Sequence, residues 1–414
     1  MDTKTVAVVG LGYIGLPTAA VLATNGVRVI GVDVKSDVID AVNRGELPFV
    51  EPDLGMVLAG AVSQGRLSAQ TEMPHADMYV VAVPTPFLED KSADLTYIDA
   101  AVDAIVPKLV GGELVILEST SPPGTTEHIA DRVLAARPDL SLDGADGRPV
   151  VHFAHCPERV LPGRIMVELV TNDRIVGGMT PEAAQLARKL YAVFCQGELL
   201  LTDATTAEMS KLVENSFRDV NIAFANELSL ICERLGIDVW ELIDLANHHP
   251  RVNILKPGPG VGGHCIAVDP WFIVSAAPEE ARLIRTAREV NDAKPGHVVD
   301  QVLAAVASIE APRVAALGLS FKPDIDDLRE SPAVEVVERL AAALPRGTVV
   351  AVEPHVEELP ERLTRFANVS LGEWSDAIKG ADLAILLVDH AAFVEADTAA
   401  LEGVQVIDTR GAWR

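Results

Sequence analysis

The sequence predicts an α/β protein with a doubly wound parallel sheet at its N-terminal end, a long central helix, and a second, smaller α/β domain. Three observations carry this. Short apolar runs alternate with helical periodicity through residues 1–200. Thr205 to Leu235 has neither Pro nor Gly and keeps helical spacing throughout. A second series of short apolar runs begins at Arg313. The expected domains are therefore 1–200, a central helical region 201–310, and 311–414.

The 414 residues are 49% hydrophobic and 4% aromatic, ample material for a core. A net charge of -26 argues against nucleic acid and anionic membranes as partners. It also means that an anionic ligand would need a local basic pocket. Cys156, Cys195, Cys232 and Cys265 are widely spaced with no CxxC pair, which fits a reduced, cytoplasmic protein without a disulfide framework or structural zinc. A strand pattern begins at once, so no secretory signal is expected, and no apolar run is long enough to span a bilayer.

Thr5 to Gly10 reads as a buried strand, and Gly10-Leu-Gly12-Tyr-Ile-Gly15 follows it. A helix is expected over Leu16 to Asn25, then a strand over Val27 to Val32 that ends at Asp33. GxGxxG alone is a weak signal. Between strand and helix, with an acid closing the second strand, it is the Rossmann-type dinucleotide fingerprint. Gly10, Gly12 and Gly15 let backbone and helix N-terminus approach a pyrophosphate, and Asp33 takes the ribose hydroxyls, favouring NAD over NADP.

Met78 to Val83 is a strand ending in Pro84-Thr85-Pro86, and Leu114 to Leu117 one ending in Glu118-Ser-Thr120-Ser-Pro-Pro-Gly-Thr125-Thr. Ligands of an open parallel sheet sit beyond the carboxyl ends of its strands, which places Thr85, Thr120 and Thr125 toward the cofactor. For Thr125, helix N-capping is an equal alternative. Val151 to Ala154 leads into His155-Cys-Pro-Glu158-Arg159-Val-Leu-Pro-Gly163. Glu158 and Arg159 read as catalytic or as an exposed ion pair. Cys156, Cys195 and Cys232 read as packing.

The helix over Thr205 to Leu235 would be about 46 Å long, enough to bridge two domains and offer a dimer face. Lys211, Asn215 and Arg218 share one stripe of it, a pattern that also suits a solvated surface. After a short helix (Val239 to Asn247), the adjacent His248 and His249 lack metal-ligand spacing, and no metal is assigned. Pro257-Gly-Pro-Gly-Val-Gly262-Gly-His-Cys265-Ile-Ala-Val-Asp269-Pro270 is neither helix nor strand. Its glycines allow positive φ or close approach of a ligand, and its thiol is a nucleophile or a small buried apolar group. His264 is next to Cys265, but neighbouring side chains point apart. Lys211 or a helix N-terminus is the better activator of the thiol. Strands are expected at Arg313 to Leu317, Val349 to Val352, Leu383 to Val388 and Val404 to Ile407, with a helix from Ala333 to Ala343. This last domain has no GxGxxG, so no second dinucleotide is expected there in the same way.

Together GLGYIG, VPTP, ESTSPPGTT, CPERVLPG, KLVENSFRDVNIAFANEL, PGPGVGGHCIAVDP and FKPDIDDLRESP resemble the nucleotide-sugar 6-dehydrogenase family over essentially the whole chain. HHPRVNIL and ENSFRDVNIAFANELSLIC resemble its branch acting on UDP-N-acetyl-D-mannosamine rather than on UDP-N-acetylglucosamine, UDP-glucose or GDP-mannose. The resemblance implies a four-electron oxidation of the sugar C6 alcohol to a carboxylate with two NAD in succession, in a homodimer, for polysaccharide precursors. It makes Cys265 the nucleophile, Lys211 and Asn215 catalytic, Asp269 the residue that orients water, and Glu158 a base in thioester hydrolysis. It adds Tyr13, Ile14 and Arg329 to the NAD contacts. It puts Arg159, Val160, Lys211, Asn215, Arg218, His249, Arg251, Gly262 and Lys322 against the UDP-sugar, so that scattered cations supply the missing basic pocket. His248 and Ser320 depart from the family pattern. A non-catalytic sensor on the same scaffold would have no use for Cys265, Lys211, Asn215 and Asp269 together.

Overall fold

A computed structural model describes residues 4–49, 51–88, 90–161, 163–263 and 265–413. The chain forms two compact units, residues 1–214 with 271–276 and residues 215–270 with 277–414.

The first unit is built on an eight-stranded sheet: β1 (Thr5–Val9), β2 (Arg28–Val32), β3 (Leu67–Gln70), β4 (Met78–Val81), β5 (Leu114–Leu117), β6 (His152–His155), β7 (Arg174–Gly178) and β8 (Leu199–Asp203). The order is β3-β2-β1-β4-β5-β6-β7-β8. β1 to β6 are parallel, and β7 and β8 run together against them. Both faces are covered. In β1, Val6 and Val8 pack into one core while Ala7 and Val9 pack into the other. Such a strand reads as an unbroken apolar run because neither face meets water.

β3, β7 and β8 are not apparent from sequence. β3 (LSAQ) and β8 (LLLTD) are edge strands, and only alternate residues of β3 are buried. β7 ends in Gly177-Gly178, a pair that reads as a turn. A Cβ at Gly177 would lie 2.4 Å from the Asp203 carbonyl oxygen, so packing against β8 demands glycine there.

The second unit holds a five-stranded parallel sheet: β9 (Arg313–Leu317), β10 (Thr348–Val352), β11 (Val369–Leu371), β12 (Leu383–Leu386) and β13 (Gln405–Asp408), ordered β11-β10-β9-β12-β13. Its strands again divide between two cores, with Val314 and Ala316 on one side and Ala315 and Leu317 on the other. The long helix is Ala204–Leu235, and the unit boundary falls within it. No helix of the described residues is long and apolar enough to cross a membrane.

Candidate active site

The carboxyl edge of β1, β4 and β5 carries the dinucleotide elements. Gly10 has φ +91°, and its N–H donates to the Val32 carbonyl at 2.8 Å. The three fingerprint glycines have distinct reasons. A Cβ on Gly10 would lie 2.5 Å from the Ala82 carbonyl oxygen, and one on Gly15 would lie 1.9 Å from that of Gly10. At Gly12 a Cβ would meet no protein atom within 4 Å. Gly10 and Gly15 are therefore required by folding, and Gly12 leaves open room for a ligand. Asp33 Oδ2 accepts from Leu11 N–H at 2.9 Å, and Oδ1 from Lys35 N–H at 3.0 Å. This sets the carboxylate beside the glycine turn. The helix Gly15–Thr24 begins beside that turn with no side-chain cap, and its Leu16 N–H donates to the Gly12 carbonyl at 3.1 Å.

Thr85 Oγ1 and Ser121 Oγ are buried with no hydrogen-bond partner among the described residues. Buried hydroxyls are normally satisfied, so these two mark where a polar ligand belongs. Thr120 is half-buried next to Ser121, a residue the sequence reading did not single out. The open cradle at Gly12 and these hydroxyls fit NAD. Tyr13 is exposed and stacks at 4.3 Å on Phe49, and Ile14 is half-buried beside it.

Thr125 does not cap. Its hydroxyl donates to the Pro122 carbonyl at 2.7 Å. The helix Thr125–Ala136 is capped instead by Glu208 of the long helix, which accepts from Gly124 N–H at 2.6 Å and Thr126 N–H at 2.7 Å. Sequence could not supply that partner, more than eighty positions away.

Glu158 folds back to accept from Val160 N–H. Arg159 pairs with Glu214 at 2.7 Å and donates to the Asp173 carbonyl, while Val160 is half-buried. Lys211 is only 8% exposed. No ion pair among the described residues involves Lys211, Arg218, Arg251 or Lys322.

In the second unit, Asn215 Nδ2 donates to Asp269 Oδ2 at 2.6 Å, and Asp269 is 3% exposed. The Cys265 carbonyl accepts from Val268 and Asp269 N–H at 3.0 and 2.8 Å. Half-buried Cys265 thus sits in the turn that opens the helix Asp269–Ala276. His264 lies outside the described residues. The other thiols behave as packing. Cys156 and Cys232 are buried, burial pushes Cys156 up to about 11, and Cys195 is half-buried.

Gly262 has a reason other than the ligand. A Cβ there would lie 2.4 Å from the Glu330 carbonyl oxygen and 2.7 Å from Pro332 Cδ. The glycine-rich loop is narrow because it packs on the segment 320–332, and Gly263 N–H donates to the Arg329 carbonyl there. Arg329 itself is forked onto Asp327. Arg218, His249 and Arg251 are exposed and Lys322 is half-buried.

The second sheet repeats the geometry of the first. Gly318 has φ +95°, its N–H donates to the Val352 carbonyl at 2.8 Å, and Leu319 N–H donates to Glu353 Oε2 at 2.7 Å. Glu353 stands where Asp33 stands, but it is buried and engaged by His390. Asp324, His355 and His390 bring possible metal-ligand atoms within 4.8 Å of one another. The lone pair of His390 Nδ1, however, already accepts from Asp324 N–H at 2.9 Å.

Family models match along the chain: the NAD binding domain of the UDP-glucose/GDP-mannose dehydrogenase family at residues 4–195, its central domain at 205–293 and its UDP binding domain at 315–414. The chain belongs to the UDP-glucose/GDP-mannose dehydrogenase family. This enzyme is accordingly an NAD-dependent oxidoreductase of nucleotide sugars, with a UDP-binding domain at its C-terminal end. It is 58% identical over its full length to 97% of an NDP-N-acetyl-D-galactosaminuronic acid dehydrogenase of Ralstonia nicotianae. It is 53% identical over its full length to the whole of a UDP-N-acetyl-D-mannosamine dehydrogenase of Escherichia coli. Among solved structures, a UDP-D-ManNAc dehydrogenase from Pyrococcus horikoshii matches with TM-score 0.87 and 38% identity, covering 99% of this chain and 96% of that one. A UDP-N-acetyl-mannosamine dehydrogenase from Staphylococcus aureus matches with TM-score 0.86 and 41% identity, covering 99% and 95%.

Proposed function

We propose that this enzyme oxidises UDP-N-acetyl-D-mannosamine at C6 to UDP-N-acetyl-D-mannosaminuronate through a covalent adduct on Cys265, supplying precursors for polysaccharide. The observation that carries the reading is the placement of Cys265 in the turn before Asp269, with Asn215 hydrogen-bonded to that aspartate. Full-length identity to a dehydrogenase named for this sugar supports the substrate.

NAD, when bound, would supply the hydride acceptor for both oxidations. Gly10, Gly12, Tyr13, Ile14, Gly15, Asp33, Thr85, Thr120, Thr125 and Arg329 are proposed to hold it. Lys211 and Asn215 stabilise the developing alkoxide at C6 as the alcohol passes its proton to solvent water. The Cys265 thiolate then adds to the aldehyde carbon, giving a thiohemiacetal, which makes that carbon a hydride donor once more. The resulting thioester is cleaved by water, oriented by Asp269 and deprotonated by Glu158, releasing carboxylate and thiol. Arg159, Val160, Arg218, His249, Arg251, Gly262 and Lys322 are proposed to bind the UDP-sugar, with the cations on its diphosphate.

The domains 1–200, 201–310 and 311–414 are proposed to serve cofactor binding, dimerisation with catalysis, and UDP-sugar binding. A homodimer is supported by Phe217, Phe224 and Ile231, which recur every seven residues of the long helix and are 71%, 52% and 45% exposed. Light scattering of Phe217→Asp/Phe224→Asp should report a monomer, and an unchanged mass would remove that face. Cys156, Cys195 and Cys232, none in a disulfide among the described residues, support a cytoplasmic location, which cell fractionation checks.

A second reading has the same chemistry on an N-acetyl-galacto-configured nucleotide sugar, favoured by the name of the 58% identical relative. A panel of UDP-N-acetylhexosamines, UDP-glucose and GDP-mannose, followed by NADH absorbance, separates the two. Two NADH per sugar are expected, and Cys265→Ala should not complete the second oxidation. Full turnover by Cys265→Ala would sink the covalent route.

A further inference from the structure

His390 is fully buried, just beyond β12, and none of the roles above uses it. It touches the Lys322 segment at two points and Glu353, the residue that follows β10, at a third. Nδ1 is 2.9 Å from Asp324 N–H. Nε2 is 3.0 Å from Glu353 Oε2 and 3.3 Å from Ser320 Oγ. An amide N–H can only donate, so Nδ1 must be the acceptor and the ring proton of a neutral histidine must sit on Nε2. That proton then faces Glu353 and Ser320, while the Ser320 hydroxyl donates to the Lys322 carbonyl at 2.7 Å. One tautomer satisfies all three of these hydrogen bonds.

Glu353 is suited to hold that tautomer. Burial opposes its ionisation, but hydrogen bonds from His390, Leu319 and Ser320 overcome this and keep its carboxyl below the usual range. The far end of the grip is Asp324, whose φ of +58° is uncommon for a non-glycine residue, though aspartate adopts it more readily than most. The bond to His390 Nδ1 and a second from Ala391 N–H to Asp324 Oδ1 at 3.0 Å hold it here. Lys322 lies between the two clamped positions, with its own carbonyl held by Ser320. The family departure at Ser320 thus supplies a hydroxyl that this arrangement uses.

We propose that His390 is a positioning residue that clamps the backbone from Ser320 to Asp324 and so aims Lys322 at the diphosphate of the nucleotide sugar. This rests on the reading of Lys322 as a substrate contact. The test is a double-mutant cycle in the full-length enzyme, with the sugar that the panel identifies. In His390→Leu the KM for the sugar should rise about tenfold while kcat and the KM for NAD stay within about twofold. His390→Asn, whose Oδ1 can replace Nδ1 as acceptor for Asp324 N–H, should recover most of that loss. In a Lys322→Ala background, His390→Leu should raise KM no further. If His390→Leu does not fold, His390→Gln keeps a donor near the Nε2 position for Glu353, places only carbon at the Nδ1 position that faces Asp324 N–H, and carries the same expectations. Unchanged KM in the His390 variants while Lys322→Ala raises it would overturn the proposal, as would independent effects in the double variant. Unchanged KM in Lys322→Ala would instead overturn the reading of Lys322, and the proposal with it.

Discussion

Asn215 donates a 2.6 Å hydrogen bond to the almost fully buried carboxylate of Asp269. The two are 54 positions apart, and Asp269 N–H is also tied to the carbonyl of Cys265. The aspartate proposed to orient water is therefore fixed from its side chain and its backbone together. Asp269→Asn should lower kcat by about 10²-fold, the usual worth of a placed acid–base group, and leave the KM for the sugar within about threefold. Steady-state kinetics check this, and an unchanged kcat would release Asp269 from the chemistry.

The glycines of the fingerprint should separate in experiment. Gly12→Ala adds a Cβ that meets no protein atom within 4 Å, so the melting temperature should hold while NADH fluorescence titration shows affinity falling at least about tenfold. Gly15→Ala places a Cβ against the Gly10 carbonyl and should cost about 1–3 kcal/mol of stability. Equal melting temperatures for the two variants would contradict the division.

Gly262→Ala should destabilise the protein with no ligand present, by about 1–3 kcal/mol, because the new Cβ must displace the Glu330 carbonyl or Pro332. Thermal melts of the ligand-free variant test it. An unchanged melt combined with a raised KM would remove packing as a reason for this glycine and leave only its proposed role in sugar binding.

Glu118 gives stability a pH dependence. Burial pushes its carboxyl up from an ordinary 4.5 to about 7, against the opposing pull of Arg174. Between those values the unfolded chain has lost this proton and the folded chain keeps it. Stability therefore falls as pH rises through that window and this contribution is flat above it. The fall amounts to at most about 3 kcal/mol. Glu118→Gln stays neutral and should lack it, whatever its overall stability. Melts across the window compare the two slopes, and parallel profiles would count against the assignment.

Short-range chemistry determined what the sequence could announce by itself. An apolar run closed by glycines and Asp33, an uninterrupted helical period to Leu235, and a thiol within a glycine-rich loop are patterns among near neighbours, where propensity and side-chain period act directly. Tertiary structure alone decided the rest. Glu208 took the capping position that Thr125 could have filled. Gly177 became a strand residue because β8 needed its room, and Gly262 came under a packing constraint because Glu330 lies against it. His390 found Asp324 across 66 positions. A hydrogen bond or a steric limit depends on which atoms the topology brings together, and local periodicity carries no record of a partner so far along the chain.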